Sequence, residues 1–153
     1  MAKKLQLKIV TPEKLILDEL VDQVSLPTPA GEITILPDHI PLISALSSGE
    51  VVAVNDGEYI PMAIVGGFVE LKKADLEINK SGLTTVTVLA DFAEHVSTIT
   101  DAEIEKAKAR AETLRKQAEN KEVVDFEHFE SELERSLTRV KIADKWRSRK
   151  YRK

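Results

Sequence analysis

Three histidines are the side chains best suited to proton transfer or metal binding at neutral pH, and they stand far apart at His39, His95 and His128. None has companions at metal-site spacing, and the absence of cysteine excludes thiolate chemistry, disulfides and cysteine-ligated zinc. His39 is the most suggestive, because Pro37 and Pro41 restrict the backbone on both sides of Asp38-His39-Ile40. No acid and nucleophile accompany it, and the chain contains no GxSxG elbow, HExxH pair or Walker-type loop. Gly66-Gly67 is the one glycine pair a phosphate could use, but between two apolar runs it marks a bulge or a close backbone approach. The stretch from Lys145 to Lys153 sets six cations around Trp146 and Tyr151, which could grip phosphate and stack on bases. The acidic front of the chain offers no matching basic face, so a solvated or partner-bound extension is the simpler reading. Nothing converges for catalysis, which leaves the proline-braced elbow as either a lone loop histidine or a rigid surface.

The elements that must carry these residues divide the chain in two. All six prolines and all six glycines precede residue 83 of 153. Residues 1–97 hold 7 Lys and Arg against 14 Asp and Glu, a net of −7, whereas residues 98–153 hold 15 against 12, a net of +3. No stretch reads as a signal peptide, a transit peptide or a membrane span. In the first part Leu5, Leu7 and Ile9 alternate with polar residues as on a half-buried strand. Val24 and Leu26, Ile33 and Ile35, Val52 and Val54, Phe68 to Leu71 and Thr84 to Leu89 extend the strand series. Asn55-Asp56-Gly57 predicts a tight hairpin returning through Tyr59 to Val65, with Pro61 predicting an edge strand or a bulge. Short strands with frequent turns predict a sandwich or flattened barrel.

The second part predicts two helices. Thr100 and Glu103 have the spacing of a capping box. Ile104, Ala107, Ala111, Leu114 and Ala118 follow at 3-4-3-4 spacing, one narrow seam. Asn120 lies near a break, Asp125 is a candidate N-cap, and Phe126, Phe129, Leu133, Leu137 and Val140 form a second stripe. A short connection makes the pair an antiparallel hairpin. The expected fold class is α+β: a β-sandwich over 1–93, a helical hairpin over 98–144 and a basic extension over 145–153.

The elbow also carries a resemblance. GEITILPDHIPL resembles the GE-x-x-I-L-P-G-H-x-P-L signature of the epsilon subunit of bacterial F-type (rotary) ATP synthase. Ile9-Val10-Thr11-Pro12-Glu13, Val24-Ser25-Leu26-Pro27-Thr28, Gly49-Glu50-Val51, Gly66-Gly67-Phe68-Val69-Glu70 and Val86-Thr87-Val88-Leu89-Ala90-Asp91 follow the same family's order. With Val124-Asp125-Phe126 opening the second helix, the resemblance spans about residues 5–144.

It implies a non-catalytic rotor subunit of the proton-translocating complex, peripheral on the cytoplasmic face of the bacterial membrane. The implied partners are the gamma subunit, the membrane c-ring and, through an extended hairpin, the catalytic alpha and beta subunits. By that resemblance Glu32, Asp38 and His39 face the c-ring, and Arg135, Arg139 and Lys141 serve the regulatory hairpin. Asp38 replaces the family's glycine. Some relatives bind ATP through an I/L-D-x-x-R-A motif, which here reads Ile99-Thr100-Asp101-Ala102-Glu103-Ile104. Glu94, Arg110, Arg135 and Arg139 match its supporting positions, but Glu103 sets a negative charge where a cation belongs. ATP binding is therefore not favoured and no cofactor is expected. The alternative reading is a β-domain adaptor that binds nucleic acid through the basic tail.

Overall fold

A computed structural model of the chain describes residues 2–73, 82–119 and 126–150. It divides into two compact units, Met1–Glu94 and His95–Lys153.

The first unit is a sandwich of two five-stranded sheets. With strands numbered along the chain, one sheet runs β2 (Leu15–Val21), β1 (Leu5–Val10), β9 (Thr85–Leu89), β8 (Phe68–Lys72) and β5 (Leu42–Ala45). The other runs β10 (Phe92–His95), β7 (Glu58–Val65), β6 (Gly49–Asn55), β3 (Gln23–Thr28) and β4 (Gly31–Ile35). The β1–β9 pair is parallel. Alternation works as the residues predict: Leu5, Leu7 and Ile9 are fully buried, as are Val24, Leu26, Val86 and Val88. Asp56 and Gly57 take φ of 51° and 81° between paired Asn55 and Glu58, the two positive values a tight hairpin of this kind requires.

Several expectations need correction. β2, β5 and β10 were not legible in the sequence. β5 and β10 have four residues each, too few to show a period, and the β1–β2 register shifts at Ile9/Val10. On β6 the inward residues are Val51 and Ala53, while Val52 and Val54 are half-buried. β7 is not an edge strand, and its register with β6 runs unbroken through Pro61 opposite Val52. A proline is tolerated there when its nitrogen faces away from β6, toward a flank where β10 is only half as long as β7. Gly67 is the predicted close approach: a Cβ there would lie 2.0 Å from the Leu89 carbonyl oxygen, so only glycine fits.

The second unit opens with a 3₁₀ turn at Val96–Thr98, followed by α1 (Asp101–Glu119) and α2 (Phe126–Lys150). The α1 seam is as predicted at Ile104, Ala107, Ala111 and Leu114, all buried. The side chains of Ala118, Phe126 and Phe129, and the whole of Asn120 and Asp125, lie outside the described residues. The α2 stripe is corrected. Leu137 is 43% exposed, and Ser136 is buried instead. Leu133, Ser136, Val140, Ala143 and Arg147 are spaced 3-4-3-4, the alternation that keeps one face on a partner helix, and Leu137 lies at its flank beside Ala111 and Arg115 of α1. A small residue at 136 also suits an alanine-lined partner, since close approach leaves little room.

Candidate functional site

The elbow is a hydrogen-bonded turn. The His39 amide donates to the Leu36 carbonyl at 3.2 Å, with Pro37 and Asp38 between them. Asp38 has φ of 65°, as the third residue of a type II turn must. The departure from glycine thus keeps glycine's backbone angle. Its added charge meets Lys3 Nζ at 2.6 Å, and its amide donates to Thr84 Oγ1 at 3.0 Å. His39 Nδ1 lies 2.7 Å from the Ile40 carbonyl, so the ring is used to hold the turn. With the backbone fixed, Leu36 and Ile40 point outward, 53% and 74% exposed.

Below the elbow, Lys4 reaches from β1 to the hairpin turn of the other sheet, with Nζ 2.5 Å from Asn55 Oδ1 and 2.9 Å from Asp56 Oδ1. The Asp56 hydrogen bond, aided by the charge of Asp22, raises the lysine's pKa above its ordinary value despite opposition from desolvation. Glu32 lies elsewhere. It pairs with Pro27 near the start of β4, whereas Asp38 and His39 follow the end of that strand. About 10 Å of strand separates Glu32 from the Asp38-His39 turn. All three still lie along one feature, the edge strand β4.

A surface that no sequence motif announced crosses the other sheet. Its registers set Ala45 opposite Phe68, Phe68 opposite Leu89, Leu89 opposite Val10, and Val10 opposite Leu15. Phe68, Leu89 and Leu15 are each more than half exposed, on the outward face at the end away from the elbow. The next row is mixed, with Ile43, Glu70, Thr87, Lys8 and Asp18. The row is an exposed apolar strip across five strands, the kind of surface that protein interfaces use. Only register could have revealed it, because its five residues come from five strands.

On the hairpin unit, the start of α1 is self-capped. Glu103 Oε2 accepts from the Thr100 amide at 2.7 Å and from Thr100 Oγ1 at 2.9 Å, and the Glu103 amide donates back to Thr100 Oγ1 at 3.3 Å. The Thr100 amide bond above all, then the Thr100 hydroxyl, holds the Glu103 carboxyl below the usual carboxylate range, with help from Arg139 and Lys106. Arg110 is engaged by Glu132 on α2 through two contacts, 2.6 and 3.0 Å, which likewise lowers the Glu132 pKa. Of the other residues considered for nucleotide, half-buried Arg139 faces Glu103's charge, Arg135 is exposed, and half-buried Glu94 lies on β10. Lys141 is exposed on α2. α2 continues through the basic stretch to Lys150, with Arg147 paired to Asp101 and Arg149 lying 4.9 Å from the Trp146 ring centroid.

Thr100→Ala should cost the helical unit about 1 kcal/mol, read as earlier thermal loss of helical circular dichroism. Because Glu103 and Glu132 are depressed on folding, their contribution is fully present above the unfolded carboxylate pKa of about 4.3. It is lost as pH falls through the lower folded values, so helicity should hold from pH 7 to 5 and decline beneath that. A Thr100→Ala chain with unchanged melting would remove the cap from the account.

Among the described residues no group of three His, Asp or Glu is placed to hold a metal, and no helix is long and apolar enough to cross a membrane. Residues 4–96 match the family model for the ATP synthase delta/epsilon chain β-sandwich domain. The ATP synthase epsilon chain of Nitratidesulfovibrio vulgaris is 40% identical over 142 residues, covering 93% of this chain and 97% of that one. That of Herpetosiphon aurantiacus is 37% identical over 145 residues, covering 95% and 98%. A chain of the Euglena gracilis mitochondrial ATP synthase, solved by cryo-EM with OSCP, F1 and c-ring, shares the fold with a TM-score of 0.60 at 19% identity, covering 95% of this chain and 80% of that one. With the fold, likeness over nearly its whole length leads to one statement: the chain belongs to the ATP synthase epsilon-chain family.

Proposed function

We propose that the chain is a non-catalytic central-stalk subunit that couples proton flow through the c-ring to ATP synthesis and restrains ATP hydrolysis through its hairpin. The observation that carries the docking role is the apolar row from Leu15 to Ala45, which suits an apolar face of the gamma subunit. The edge strand β4, with Glu32 at one end and the rigid Asp38-His39 turn past the other, faces the ring of c subunits on the cytoplasmic side of the membrane. A turn already fixed by two prolines and by Lys3 loses little entropy on docking. Arg135, Arg139 and Lys141 supply the positive charge with which an extended α2 meets the catalytic alpha and beta subunits. The test is reassembly. An ATP synthase stripped of its own subunit and given this chain should regain coupled proton pumping, and failure of the folded chain to bind would overturn the reading.

Nucleotide has no part in this account. At the start of α1 Glu103 is occupied by the Thr100 amide and hydroxyl, and Arg110 is held by Glu132. A missing charge-assisted hydrogen bond weakens binding by roughly 1.5–3 kcal/mol, about ten- to a hundredfold. Calorimetric titration of the isolated chain should therefore show no ATP site at low micromolar concentration. A micromolar site would mean that Glu103 leaves its cap to admit the ligand.

A further inference from the structure

Residues 145–150 do not leave the hairpin as a free arm. It prolongs α2, and Val140, Ala143 and Arg147 share one face at spacings of three and four. Val140 and Ala143 pack with Ile99 and Ile104 into a small apolar cluster at the start of α1. One turn further along the same face, Arg147 meets Asp101 in the first turn of α1. Each charge also suits its own helix, an anion at the N-terminal turn of α1 and a cation toward the C-terminal end of α2.

We propose that residues 145–150 form a clasp, with Arg147 on Asp101, that sets how often the compact hairpin opens. The clasp closes the end of the hairpin remote from the α1–α2 connection, where separation of the helices must begin if they are to extend. Its use as a regulator rests on the proposed restraint of hydrolysis by the hairpin; its effect on opening does not. Beneath it, Ala107 and Ala111 bury little surface, so the seam alone holds the helices weakly and a modest terminal contact shifts the balance. Both side chains are largely exposed, which limits the effect and makes it sensitive to salt.

Amide hydrogen exchange of Ile104, Ala107 and Ala111 in the full chain reads the open fraction even when it is rare. Arg147→Gln and Asp101→Asn should each lower their protection about two- to fivefold, and the double variant should add little to either. Ending the chain after Asp144 should lower protection at least as far. High salt should erase the difference between the native chain and Arg147→Gln. Arg149→Gln, which removes the same charge from the same helix end, should leave protection unchanged. Unaltered protection in Arg147→Gln, or an equal loss in Arg149→Gln, would overturn the clasp. If exchange rises as expected while hydrolysis by the assembled enzyme stays constant, the clasp stands and the regulatory role of the hairpin falls.

Discussion

Replacing Phe68 and Leu89 together by aspartate should leave a folded sandwich that no longer joins the central stalk. Both side chains project from the outer face of their sheet, more than half exposed, while Val69 and Val88 beside them fill the core. Charge on the outer face therefore spares the interior. Burying each side chain in an interface would contribute about 1.5–3 kcal/mol, and a stranded carboxylate adds a desolvation penalty. A combined loss of about 4 kcal/mol or more corresponds to at least a thousandfold in affinity. Binding to gamma, followed by co-purification or interferometry, measures it, with circular dichroism confirming that the variant folds. Ile43→Asp, on the neighbouring mixed row, should cost much less. Unchanged affinity in the Phe68/Leu89 variant would move the gamma interface to another face.

Deleting residues 98–153 should raise ATP hydrolysis by the assembled enzyme while leaving assembly intact. Within Met1–Glu94 the two sheets have their own fully buried core, including Leu5, Leu7, Leu26 and Ile64. That core cluster is built from strand and loop residues of this unit itself. A coupling between hairpin and catalytic subunits of ordinary size, about 1–3 kcal/mol, predicts an increase of at least about fivefold. The restraint should also weaken with salt, because Arg135 and Lys141 are exposed and attraction between exposed charges is screened over about 8 Å at physiological ionic strength. Hydrolysis unchanged by deletion at every salt concentration would remove the brake, yet would leave the docking role untouched.

Much of this was readable before any coordinates. Alternation at Leu5, Leu7 and Ile9 set strand faces because successive side chains must point oppositely. The 3-4-3-4 seam of α1 and the Thr100–Glu103 cap were local facts of spacing, and the structure keeps both. The turn around Asp38 was legible for the same reason, since two prolines act on the backbone next to them.

What the sequence could not decide was long-range. The row from Leu15 through Val10, Leu89 and Phe68 to Ala45 exists only because five strands meet in a particular register, one of them in parallel. Ser136 is buried while Leu137, beside Ala111 and Arg115 of α1, stays 43% exposed, a difference that the packing around α2 decides. Residues 145–150, which read in the sequence as the start of a solvated or partner-bound extension, continue α2, and Arg147 meets Asp101 because the helices run antiparallel. Spacing along one chain fixes neighbours within a turn or a strand. Pairing between elements fixes which of those neighbours face solvent, a partner or each other, and that is decided by packing the whole chain at once.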